Sequence, residues 1–313
     1  MPLFCIIEMM KQKIIIDCDP GHDDAIALLV AAYSDKYDLI GVSTCAGNQT
    51  IDKTSKNALN LLRFFNSDFK VAKGETNPIK REIRTCPEIH GESGLDGYDF
   101  PKYVEEYDSR PAYQFIIDTV LANKNIIVVT TGPMTNLALA LSHNPDIAKN
   151  IKEIVLMGGS TTEGNITSEA EFNILVDPEA ADICFKADVP MRMLGLNVTR
   201  KILVTDKVIE EASKINTRGS DLFVKLMKVF NENQRKFFGL EYGPLHDPAT
   251  IISLISEKAF KFEPMHVEID CTDTKYLGKT RCTKDKPYNC DVAVEVNLDE
   301  YWSVVFESLR RCK

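Results

Sequence analysis

Four carboxylates fall within eight residues in Asp17-Cys18-Asp19-Pro20-Gly21-His22-Asp23-Asp24. Like charges this close repel and raise one another's pKa unless a cation sits among them, and hard oxygen ligands select Ca2+ or Mg2+. Capping of a helix beside the glycine turn accounts for one aspartate and leaves the other three without a role. The segment therefore reads as a divalent-metal site. An EF-hand loop beginning at Asp17 needs Glu at its twelfth position, where Leu28 stands. A phosphoaspartate hydrolase also starts with D-x-D after a strand, but it carries Thr or Val where this chain has Gly21 and it lacks the two further aspartates. A P-loop at Gly278-Lys279-Thr280 fails because Asp273 occupies the place of the first glycine.

The elements that must hold such a cluster are readable around it. Ile14-Ile15-Ile16 runs into Asp17 as a strand that is apolar on both faces, the mark of a buried parallel sheet. Similar runs recur at 38–44, 126–130, 154–157 and 191–195, separated by stretches with helix punctuation such as Ser109 before Pro111 and Asp177-Pro178. The alternation predicts an α/β fold, an open and mostly parallel sheet flanked by helices, with ligands at the carboxyl ends of its strands. After residue 200 the pattern turns helical over 214–238 and 248–256. It returns to strands at 265–269 and 292–296 and ends in an amphipathic helix, 298–311, whose Trp302 reads as core. The glycine- and charge-rich stretch within 80–110 reads as a mobile loop.

Composition narrows the partners. With 313 residues, 44% apolar and 27% charged, the chain is ordinary globular material, read as a single domain over 1–313 with 1–12 as an N-terminal extension. Its 46 acidic residues against 37 basic ones argue against a nucleic-acid partner. No apolar run approaches the roughly 20 residues of a membrane helix, and no basic region precedes the apolar start as in a secretory signal. Nine cysteines without a C-x-x-C pair read as reduced thiols in a cytoplasmic protein, and Cys271, Cys282 and Cys290 lack the spacing of a zinc site.

The D-x-D-x-G-x-D-D signature does not stand alone. With Gly47-Asn48-Gln49-Thr50, His90-Gly91-Glu92-Ser93-Gly94, Glu171-Phe172-Asn173 and His246-Asp247-Pro248, in that order, the chain resembles the nucleoside N-ribohydrolases of the inosine-uridine-preferring type from residue 13 onward. The resemblance implies the nucleoside hydrolase fold, a bound Ca2+ and hydrolysis of the N-glycosidic bond to ribose and free base, as in nucleoside salvage. It implies assembly as a homodimer or homotetramer.

The resemblance also distributes roles. Asp19 would ligate the metal and take a proton from its water; Asp24, Asp247 and the carbonyl of Thr131 would complete the ligands, with Asp17 behind them as a buttress. Asp247-Pro248 on its own reads as a helix cap with proline at the first position, and a capping aspartate still has a free oxygen for a cation. Asp23, Asn48, Asn165, Glu171 and Asn173 match sugar-binding positions, the last pair turned to one side by i, i+2 spacing in an extended stretch. His246 is the candidate that protonates or stabilises the departing base, and His90 would close over it. Gln234 and Phe238 would face the base, Gln234 reading an edge and Phe238 stacking. A ring at position 238 and the lack of a second tryptophan favour uridine and cytidine, with inosine or a broad specificity as the alternative. A non-catalytic nucleoside-binding protein of the same fold is the rival from another class.

Overall fold

The structure is a computed structural model that describes residues 11–67, 69–102 and 104–313. Nine strands make one sheet: β1 (Gln12–Cys18), β2 (Tyr37–Thr44), β3 (Val71–Lys73), β4 (Ile126–Thr130), β5 (Ile151–Met157), β6 (Met191–Leu194), β7 (Phe260–Ile269), β8 (Thr280–Thr283) and β9 (Cys290–Val296). Their order is β3-β2-β1-β4-β5-β6-β9-β7-β8. All neighbours from β3 to β9 pair in parallel, and β7 alone runs against its partners β8 and β9. The chain moves outward from β1 to β3, then returns to the other side of β1 as β4. That reversal makes the β1/β4 boundary the switch point of the sheet, where a crevice opens at the carboxyl ends.

Both faces are covered. Ile14 and Ile16 pack on one side with Ile26, Phe223 and Ile252, from the helices His22–Ala32, Arg218–Phe238 and Pro248–Ile255. Ile15 packs on the other with Ile117, Leu137 and Ala181, from Ala112–Ala122, Thr135–His143 and Pro178–Phe185. The continuous apolar strands are thus explained by helices on each face.

Several local expectations shift. The apolar run 1–7 lies outside the described residues, and β1 already includes Gln12, so the extension ends before it. Helix Arg218–Phe238 starts four residues later than read, because Thr217 caps it through the Ser220 N–H and Asn216 stands at φ 56. Ser109 caps nothing: Pro111 itself is the N-cap of Ala112–Ala122. In the last helix, Leu298–Arg311, the buried aromatic is Tyr301, while Trp302 is half-buried and stacks on Phe306. Tyr301 is the one placed to act on the site, since its hydroxyl donates to the Leu245 carbonyl at 3.1 Å.

Candidate active site

β1 delivers the acidic cluster to the switch point, and the helix His22–Ala32 begins at once, with Asp23 and Asp24 in its first turn. Carboxylates are favoured there by the unpaired N–H groups and the positive end of the helix dipole. Asp24 Oδ2 accepts from the Gly21 N–H at 3.0 Å and from Asn48 Nδ2 at 3.1 Å, while its Oδ1 accepts from the Thr131 hydroxyl at 2.7 Å. Asp19 Oδ2 accepts from the Asn48 N–H at 2.6 Å. Below them Asp17 Oδ1 accepts from Ser43 Oγ and from Asn136 Nδ2, which also donates to the Thr44 carbonyl. Asn136 therefore ties the ends of β1 and β2, a link that no spacing rule pointed to.

Asp23, Asp24 and Asp247 each bring a carboxylate oxygen within 4.8 Å of the others. Asp247 precedes the helix Pro248–Ile255 but makes no side-chain cap bond, so the capping half of its expected double role is absent. Helical φ and ψ of −65° and −37° place it inside the turn rather than ahead of it. Asp19 stands outside that triplet. Oδ1 of Asp19 and Oδ1 of Asp23 are nonetheless buried without a hydrogen-bond partner. Burial, then the charge of Asp24, drives Asp19 well above the usual carboxylate range; burial, then Asp23, does the same to Asp247. Asp23 is pushed up to about 7 by burial and by Asp24, and Asp17 to about 6 by burial against its two hydrogen bonds. An all-oxygen set of crowded, buried anions with orphaned lone pairs fits a metal ion.

Two glycines fit closely around Asp19. A Cβ on Gly47 would lie 2.1 Å from Asp19 Oδ2, and one on Gly132 would lie 2.4 Å from Oδ1. Gly47→Ala is expected to rotate the carboxylate and lower kcat/KM by about 100-fold, the cost of an ångström-scale misplacement. A melting temperature within a few degrees of the parent's would show that the loss is local.

Above the cluster lies a cavity of about 680 Å3. Its walls include Asp23, Asn48, His90, Thr131, Asn165, Glu171, Asn173, Gln234, Phe238, His246 and Asp247. Asp19 and Asp24 are fully buried and do not line it. Glu171 and Asn173 do not share an extended stretch: the short helix Phe172–Val176 starts between them. Glu171 is its N-cap and takes the N–H groups of Gly159, Asn173 and Ile174, while burial holds its carboxyl up at about 7. Asn173 Nδ2 donates to the Thr131 and Met157 carbonyls, at 2.9 and 3.2 Å, and so aims the Thr131 carbonyl. Asn165 is exposed at the rim, and its Oδ1 accepts from the Phe172 N–H. Gln234 is buried in the wall, whereas Phe238, the last residue of its helix, is 45% exposed at the mouth.

His90 belongs to a short helix, Pro87–His90, inside the stretch read as a loop, and it is buried against His22 and Phe230. His22, given no role from sequence, donates its main-chain N–H to His90 Nδ1 at 3.1 Å. His246 Nδ1 lies 2.7 Å from the Thr199 hydroxyl. Burial, with Arg200 nearby, holds His246 down at about 3; burial holds His22 at about 4 and His90 well below the ordinary histidine value. Burial thus favours the neutral form of all three rings. Arg200 also lines the cavity and donates to the carbonyls of Glu163 and Gly164, fastening the loop that carries Asn165. Thr199, Arg200 and Gly132 were missed in the sequence; each follows the carboxyl end of a strand, which is the signal that would have found Gly132 after β4 and the pair after β6.

Carboxylates at the switch point of a parallel sheet, beneath a cavity walled by amides, histidines and apolar rings, define an α/β enzyme that acts on a small polar molecule. The family model described as inosine-uridine preferring nucleoside hydrolase matches residues 14–303. The chain belongs to that family and hydrolyses the N-glycosidic bond of ribonucleosides to ribose and free base. It is 40% identical over 307 residues to the pyrimidine-specific ribonucleoside hydrolase RihB of Shigella flexneri serotype 5b, covering 96% of this chain and 98% of that one. Among solved structures, the purine-preferring ribonucleoside hydrolase from Gardnerella vaginalis superposes with a TM-score of 0.88 at 30% identity, covering 96% of this chain and 99% of its own. A plant nucleoside hydrolase, PpNRh1, gives 0.89 at 29% identity with the same coverage. Among the described residues no helix is long and apolar enough to cross a membrane.

Proposed function

We propose that the chain is a Ca2+-dependent hydrolase of pyrimidine ribonucleosides, acting on uridine and cytidine from one domain over 1–313. The observation that carries this reading is the carboxylate cluster with its three orphaned oxygens, on Asp17, Asp19 and Asp23, beside the cavity. Asp19, Asp24, Asp247 and the Thr131 carbonyl would hold the cation. When bound, the cation supplies positive charge that keeps these carboxylates ionised and makes a water beside it more acidic.

Asp19 takes the proton of the attacking water on Oδ1, the atom left free when Oδ2 accepts from Asn48. Asp23, Asn48, Asn165, Glu171 and Asn173 bind the ribose, and the anionic floor favours the positive charge that develops on it. His246 and His90 meet the departing base from the walls. Gln234 reads its edge and Phe238 stacks on it from the mouth. The higher identity to a pyrimidine-specific relative than to a purine-preferring one supports the base preference. A homodimer or homotetramer in the cytoplasm completes the reading.

The test is a panel of uridine, cytidine, inosine and adenosine, assayed for free ribose with Ca2+ and with a chelator. Uridine and cytidine are expected to exceed inosine in kcat/KM by at least about tenfold, a discrimination of about 1.4 kcal/mol. Chelation should abolish turnover and Ca2+ restore it. Equal rates on inosine would remove the pyrimidine assignment, and full activity in chelator would remove the metal.

A further inference from the structure

We propose that Thr199 is a positioning residue: its hydroxyl fixes His246 in the tautomer that carries the proton on Nε2, so the substrate cavity meets a neutral N–H donor. The inference rests on the nucleoside-hydrolase site described above and deepens it.

Thr199 ends the short helix Leu196–Thr199, just beyond β6, and is fully buried. Among the described residues its Oγ1 has one hydrogen-bond partner, His246 Nδ1 at 2.7 Å. A hydroxyl carries a hydrogen that needs an acceptor, and buried polar groups find one. With Nδ1 protonated, the hydroxyl hydrogen would be left in a closed site with nothing to receive it. With Nδ1 bare, the hydroxyl donates to it and the bond is complete. The ring proton then sits on Nε2. That nitrogen has no partner within the described residues, and the ring forms part of the cavity wall.

The other wall repeats the arrangement by independent means. His90 Nδ1 lies 3.1 Å from the His22 main-chain N–H, a group that only donates, so Nδ1 is the acceptor and Nε2 carries the proton. His22 Nε2 lies 2.8 Å from the Asp96 carbonyl, a group that only accepts, so the His22 proton sits there and its bare Nδ1 meets His90 Nδ1 at 3.4 Å with no hydrogen between them. Two neutral rings thus offer the departing base donors and no acceptor. A base that leaves with a lone pair on nitrogen and charge spread onto a carbonyl oxygen matches them. One that presents an N–H at those points does not.

The test uses the full-length, Ca2+-loaded protein at pH 8, above the ordinary histidine range, with 15N-labelled histidine and the His246→Gln variant to assign the resonances. The parent is expected to show a bare Nδ1 and a protonated Nε2 at His246. Thr199→Val, which keeps the shape and removes the hydroxyl, should shift that pattern toward protonated Nδ1. It should also lower kcat on uridine by about 10- to 100-fold with KM within about threefold, as loss of a correctly protonated partner does. Thr199→Ser should restore both the spectrum and kcat, with Ca2+ affinity by calorimetry equal in all three. A parent protonated on Nδ1, an unchanged spectrum in Thr199→Val, or a loss that serine does not rescue would each overturn the assignment. Because the spectrum needs no turnover, the tautomer is decided even if uridine proves not to be the substrate.

Discussion

Asp19→Asn is expected to lower kcat on uridine by about 100- to 10,000-fold at saturating Ca2+, the span typical of a lost general base. The replaced oxygen is the one without a partner, so the amide loses the proton acceptor while the bond from the Asn48 N–H to the other oxygen survives. KM should move far less than kcat, because the groups assigned to ribose are untouched. Stability should move the opposite way. In the metal-free protein Asp19 is a fully buried carboxylate crowded by Asp24, and a neutral amide of the same shape relieves that repulsion. A variant that melts higher than the parent without metal and turns over far more slowly with it cannot be dismissed as misfolded. Near-normal kcat would remove Asp19 as the base.

Removing the metal is expected to give a protein whose stability falls as pH rises. Asp17 and Asp23 are held at about 6 and about 7, above the ordinary carboxylate value of 3.8. Between those values the folded chain binds more protons than the unfolded one. Its stability is therefore greatest at the acid side of the window and declines from about pH 4 through pH 7 on account of these two groups, by on the order of a few kcal/mol, with Asp19 and Asp247 continuing the decline above. This is the reverse of ordinary acid denaturation, in which ionised and paired carboxylates are lost. Saturating Ca2+ should remove the slope and raise the melting temperature most at pH 8, where the cluster is most fully charged. Differential scanning calorimetry across pH 5–8, with chelator and with Ca2+, reads both effects. A metal-free protein that grows more stable toward pH 8 would show that the carboxylates are not crowded as described.

The cluster was legible because its chemistry is local: four aspartates after one strand have few uses, and the strand-end rule says where they point. The last helix was equally plain, its apolar spacing matching Leu298–Arg311 at both ends. What could not be read depends on groups that meet only after folding. Glu171 looks like any loop acid until Gly159, Asn173 and Ile174 bring their N–H groups to it. Asp247-Pro248 has the letters of a cap, yet the side chain turns to Asp23 and Asp24 instead, which only the packing of its helix against His22–Ala32 can dictate. Trp302 was given the core by its place in an amphipathic helix, and Tyr301 takes it because the Leu245 carbonyl offers its hydroxyl a buried partner. His22 was passed over because its contact with His90, a main-chain N–H and a stacked ring, forms only once residues 22 and 90 meet.

The distance in sequence between Asp19 and Asp247 has a consequence for synthesis. A chain still emerging from the ribosome can complete β1 and its acidic turn early, but it cannot close the carboxylate cluster until Asp247 has been made. The turn before Asp247 waits longer still, for Tyr301 in the last helix to reach the Leu245 carbonyl. An unfinished chain therefore carries the repulsion of the first four aspartates without the partners that complete a cation site, so metal loading waits until both Asp247 and Tyr301 have been made.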